Sequence, residues 1–228
     1  MVTYRPSSNW EGAVCCSRLL VSTTALLVGA GSGLVSADVV DDWRTCGQAH
    51  GDAAIAACTQ FIEYGGPPPK LRAIAYFNRG AGYHAKGDVD RAIADFNEAI
   101  PLDPARPVHL AALIQRAQAY QAKADLDRAA GRVYQANVDL DRAAADYSEV
   151  IRLDPKIVRA LFDRGKVYHA KGDLDRALAD FNEVIRLDPK LAAVAYYKRS
   201  LAKREKGDTS GANADLAKAR ELQPGIGQ

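Results

Sequence analysis

The sequence predicts an all-α fold, a solenoid built from antiparallel helical hairpins. Three observations carry that expectation. Alanine is abundant while glycine (18) and proline (10) are few among 228 residues, and aromatics make up only 7%, a balance that favours helix over sheet. One stretch of grammar recurs four times: DVDRAIADFNEAIPLDP from Asp88 to Pro104, DLDRAAADYSEVIRLDP from Asp139 to Pro155, DLDRALADFNEVIRLDP from Asp173 to Pro189 and DTSGANADLAKARELQP from Asp208 to Pro224. The last two intervals are 34 and 35 residues, enough for a pair of helices with their turns, and the first is 51. Thirty basic against 28 acidic side chains leave a net charge of +2, which makes no case for a nucleic acid partner.

Residues 1–37 read as a signal peptide. Arg5 and Arg18 precede an uncharged stretch, Leu19 to Val35, that is short and interrupted by Gly29, Gly31 and Gly33. Val35-Ser36-Ala37 suits cleavage after Ala37, so the expected mature chain starts at Asp38 and is periplasmic or secreted, without a stable membrane span. An uncleaved anchor is the alternative. Cys15 and Cys16 lie before the apolar stretch, which argues against a lipoprotein, and the glycine run lacks the strand–helix setting of a nucleotide loop.

Residues 38–69 read as a helical hairpin cap with a proline-rich linker. Helices are expected over Val39–Ala49 and Ala53–Tyr64, broken at His50-Gly51-Asp52. Cys46 lies five residues before Gly51 and Cys58 seven after it, so an antiparallel hairpin brings them level. In an oxidising compartment that favours a Cys46–Cys58 disulfide; two buried thiols are the alternative. No CxxC or His–Cys spacing points to metal or haem, and no cofactor is expected.

The array spans residues 70–228, in units 73–106, 107–157, 158–191 and 193–226. Within a unit, helix A opens on Tyr76, Leu161 or Tyr196 and carries a small residue one turn later, at Gly80, Gly165 or Ser200. Tyr83, Tyr134 and Tyr168 fill the wedge between helices, and Lys-Gly-Asp at 86–88, 171–173 and 206–208 makes the turn, with glycine as the left-handed residue. Ala92, Ala143, Ala177 and Ala212 are small where helices cross, and Phe96, Tyr147, Phe181 and Leu216 are large where units stack. Pro104, Pro155, Pro189 and Pro224 end helix B. The Asp-x-Asp-Arg of each turn but the last is expected to cap helix B.

This order of residues resembles the tetratricopeptide repeat family, and the resemblance covers residues from Ala73 to about Gly227. It implies a right-handed superhelix whose concave face is lined mainly by helix A. The inward positions then fall on Phe77, Ala81 and His84 in the first unit, on Arg159, Phe162, Lys166 and His169 in the third, and on Tyr197, Leu201 and Arg204 in the fourth. Ile114, Gln118 and Gln121 join them from the second, with Arg132 and Gln135 further along. Aromatics among basic residues suit an extended, acidic peptide or protein segment; a solvated groove with its rings packed on neighbouring helices is the alternative. The family's carboxylate-clamp pattern is not matched, since Phe77 and Ala81 stand where it would want Lys and Asn.

The second unit departs from the pattern. YQAKADLDRAA from Tyr120 and YQANVDLDRAA from Tyr134 are offset by 14 residues, an internal duplication. Ala124 and Val138 replace the turn glycine, so one long helix is expected from Val108 to Asn137, with the turn at Val138-Asp139. An extra short helix starting near Asp125 is the alternative.

Chemistry has no foothold in the motifs. His84 and His169 occupy equivalent places in two units, which repeat inheritance explains, and no Gly-x-Ser-x-Gly or HExxH is present. The resemblance implies a non-enzymatic interaction scaffold, which the expected leader assigns to the bacterial cell envelope; a self-associating structural protein is the second reading and an enzyme with a groove site the third.

Overall fold

The computed structural model describes residues 37–64, 67–104 and 108–227, and among these are ten helices and no strand. Of the leader expected over residues 1–37, all but Ala37 lie outside the described residues. The helices are α1 (Ala37–Gln48), α2 (Gly51–Glu63), α3 (Pro69–Ala85), α4 (Val89–Leu102), α5 (Val108–Ala129), α6 (Val133–Leu153), α7 (Val158–Lys171), α8 (Leu174–Leu187), α9 (Ala192–Glu205) and α10 (Thr209–Leu222). Each packs chiefly on its neighbours in the chain, so five hairpins stack in series as an all-α, TPR-like solenoid. No described helix is long and apolar enough to cross a membrane.

Local chemistry sets the repeat. Gly87, Gly172 and Gly207 take φ values of 79°, 83° and 92°, a region that side chains with a Cβ avoid. The chain then reverses: the N–H groups of Asp88, Asp173 and Asp208 each donate 2.9 Å back to the carbonyls of Tyr83, Tyr168 and Lys203. The same three aspartates cap the next helix, their carboxylates accepting from the N–H of Arg91, Arg176 and Gly211. The B helices end at Leu102, Leu153, Leu187 and Leu222, each two residues before its proline.

Side-chain packing joins the two helices. A Cβ placed on Gly80 would lie 2.9 Å from Phe96, and one on Gly165 would lie 2.8 Å from Phe181, so both glycines let a fully buried ring press on the backbone of helix A. At the front of the array, Trp43 meets Phe61 at 4.8 Å between ring centres, beside buried Cys46 and Cys58, whose sulfurs are 2.07 Å apart.

A half-buried arginine in each of the four array units also joins it to the unit before. Arg79, Arg116, Arg164 and Arg199 grip Asp95, Asp146, Asp180 and Asp215 with two nitrogens each, at 2.6–2.9 Å. Their third nitrogen reaches the preceding hairpin at Thr59, Asn97, Ser148 and Asn182. Along the turn edge, Lys86, Lys123, Lys171 and Lys206 pair with Asp52, Asp90, Asp141 and Asp175 of the unit before.

The second unit corrects the sequence expectation. Helix does run through Ala124, but it stops at Ala129, and α6 begins at Val133 and passes unbroken through Val138 and Asp139. Gly131, with φ 74°, makes the turn, and Arg132 N–H donates 2.8 Å to the carbonyl of Asp127. Glycine adopts that conformation at no steric cost, whereas Ala124 and Val138 do not. The 14 extra residues are therefore shared, about seven to each helix, which is close to two turns and keeps both inner faces in register. One consequence concerns the caps. Asp139 aligns with Asp88 and Asp173 yet sits mid-helix, fully buried, bound by Arg142 at 2.8 Å, and caps nothing. Asp125 and Asp127 likewise lie within α5.

Candidate functional site

The odd-numbered helices line one face. Helix A meets helix A of the next unit at α1–α3, α3–α5 and α7–α9, while no two B helices approach as closely. The face carrying the expected groove residues is thus the inner one, and it is most open between α5 and α7.

Several of those residues are shared with the core. Phe77 stands 6.1 Å from Phe96 and Phe162 stands 5.9 Å from Phe181, and Phe162 is only 4% exposed. Ile114 packs against the core of the second unit. Gln121 accepts a 3.0 Å bond from the hydroxyl of buried Tyr147, so its amide is directed between the helices. Ala81, Gln118, Gln135 and Leu201 remain half-buried, and Arg132 lies at the hairpin tip, bonded to Asp127. Tyr197 is covered on one edge by the C-terminal turn at Gly227.

Charges on this face are organised by one row that the motif reading passed over. Asn78, Gln115, Asp163 and Lys198 each lie two residues before the small residue of helix A, and the first two bond to the preceding unit. Asn78 donates 3.2 Å to the carbonyl of Cys46. Gln115 bonds His84, whose imidazole is nonetheless held below its ordinary pKa by burial. Asp163, buried, takes Arg159 and Lys166 at 2.9 Å, and both cations lie over the Phe162 ring. Lys198 differs. Half-buried, it has no carboxylate partner among the described residues, and burial together with nearby Lys166 pushes its ammonium below the usual lysine pKa. His169 bridges α7 to α9 through Glu205 at 3.0 Å, and Arg204 is exposed. The common offset from the small residue was the signal that could have found this row.

The face offers an apolar floor, amide groups in the middle and an under-neutralised ammonium toward the C-terminal end. Among the described residues of this face no nucleophile is held by a base. Among the described residues no three His, Cys, Asp or Glu side chains are placed to share a metal ion.

Two family models, both described as tetratricopeptide repeat, match residues 73–105 and 128–192. The chain belongs to the tetratricopeptide repeat family. No curated protein matches it significantly. Solved structures share the fold: MamA of AMB-1 superimposes with a TM-score of 0.62 at 15% identity, over 82% of this chain and 91% of that one. A second MamA structure gives 0.54 at 23% identity, over 75% and 87%. TTC0263, a thermophilic TPR protein of Thermus thermophilus, gives 0.54 at 20% identity, over 77% and 84%. In this tetratricopeptide repeat chain the second match begins at Arg128, inside the duplicated segment that builds the long hairpin.

Proposed function

We propose that this chain is a non-enzymatic scaffold of the bacterial cell envelope that holds an extended, acidic peptide or protein segment along α3, α5, α7 and α9. The fold supports the protein-binding part of this reading, because a stacked array of hairpins presents a continuous inner face. The observation that carries the acidic character is Lys198, half-buried near Lys166 and without a carboxylate partner among the described residues. A carboxylate arriving there relieves a like-charge repulsion and supplies the missing partner. Export through the leader is part of the proposal; an oxidising compartment would preserve a bond between Cys46 and Cys58, which lie together in the core of the first hairpin.

Selection from a random peptide display library tests the groove. The expected outcome is enrichment of acidic peptides whose affinity falls about tenfold or more in Lys198→Glu, at unchanged helicity. Hydrogen exchange should slow on α5, α7 and α9 in the complex. Protection confined to the even-numbered helices, or peptides indifferent to Lys198→Glu, would refute the assignment.

A further inference from the structure

The duplicated segment makes a surface that the groove does not use. Helices α5 and α6 have 22 and 21 residues against 14 in each helix of the following hairpins. Lys123 still pairs with Asp90 at the place where the other turns lie, so the chain beyond it projects by about two helical turns, roughly 10 Å. Three of the largest exposed apolar side chains sit on this projection: Leu126 at 56%, Val133 at 55% and Tyr134 at 83%. Together they offer about 400 Å² of surface, comparable to the largest apolar patch of an ordinary monomer.

The duplication explains why Tyr134 is bare. In the first and third units an arginine eight residues on covers the wedge tyrosine, Arg91 over Tyr83 at 4.4 Å and Arg176 over Tyr168 at 4.5 Å. The second unit has two such tyrosines, and Arg142, eight residues after Tyr134, lies over Tyr120 instead. Tyr134 is left without a cation among the described residues. Beside it, Arg132 holds Asp127 yet keeps a side chain 61% exposed, and Asp125 is exposed with no partner among the described residues.

We infer that the tip of this hairpin, at Leu126, Val133 and Tyr134, is a self-association surface that docks on the same tip of a second copy of this chain. A two-fold contact requires one patch to hold both halves of every interaction. This patch does: an apolar centre, an exposed guanidinium at Arg132 and, with no cation or base meeting them among the described residues, the Tyr134 ring and the Asp125 carboxylate. Across the axis, Arg132 of one copy covers Tyr134 of the other and approaches its Asp125. The outer surface of α10, with Thr209, Ser210 and Asn213 exposed, is polar and favours this lateral contact over end-to-end stacking. The area per copy is about half that of a standard interface, so the dimer is weak and concentration-dependent.

Sedimentation velocity of the full chain between about 1 and 500 µM tests this, the range where a contact of this size associates. A reversible monomer–dimer equilibrium is expected. Leu126→Glu/Tyr134→Glu should weaken it at least tenfold with helicity unchanged, while Lys198→Glu in the groove leaves it intact. Slowed hydrogen exchange over residues 126–134 at high concentration is the second expected readout. A monomer throughout the range overturns the inference. So does a dimer that the tip variant leaves intact or that Lys198→Glu disrupts; a monomer, or a dimer indifferent to both variants, leaves the peptide-binding proposal standing.

Discussion

Arg79, Arg116, Arg164 and Arg199 each hold an aspartate of their own unit with two nitrogens and touch the preceding hairpin with the third. The aspartates are almost wholly buried, so their charge is tolerated only while the fork is in place. Arg164→Met should therefore cost about 3–5 kcal/mol in urea unfolding, because Asp180 keeps a buried, uncompensated carboxylate. Arg164→Met combined with Asp180→Leu should regain most of that loss. These residues were in plain view, as the arginine before Gly80, Ala117, Gly165 and Ser200 and the aspartate before each large residue of helix B. Their partnership was not legible, since helical periodicity says which face a residue occupies and not which charge it meets across a hairpin.

The hairpin of the second array unit, α5 and α6, is where tertiary context overrode local expectation. Three places offered a turn: Ala124-Asp125, Gly131 and Val138-Asp139. Aspartates that cap in other units favoured the first and third, yet the chain reverses at the glycine. Sharing the inserted residues between two helices pairs each added turn with a partner, whereas a single long helix would leave its added turns unpacked. Ala124 and Ala136, both fully buried, show that the added turns pack on one another. Gly131→Val should destabilise the protein by about 1–2 kcal/mol, the cost of forcing a branched side chain into the left-handed region, while Gly131→Asn should be nearly neutral. Urea unfolding gives the cost, and hydrogen exchange over residues 126–136 shows whether the loss is local. The duplication itself was legible from identical strings; the position of its turn was not.

For the whole molecule, stability passes from unit to unit through nearest-neighbour contacts, and the first hairpin seals one end. Asn78 and Arg79 of α3 both bond to that hairpin, at Cys46 and Thr59, so loosening the cap also exposes the first unit. A chain purified from the envelope should begin at Asp38 and gain about two daltons on reduction. Cys46→Ser should lower stability by about 3 kcal/mol, the chain-entropy value for a loop of this length, with the earliest unfolding in α1 to α3. An unchanged mass on reduction would show that the two sulfurs are not bonded.

By itself the sequence determined the hairpin repeat, its period and the turns at Gly87, Gly172 and Gly207. Those features rest on interactions within a few residues or on a helical period, both written directly in the order of side chains. Tertiary structure alone decided the turn at Gly131, the burial of Asp139 away from any cap, the arginine forks between units and the half-burial of the Lys198 ammonium. Each depends on which helix comes to lie beside which, and equal local preferences at several sites are settled only when packing on a neighbour selects one.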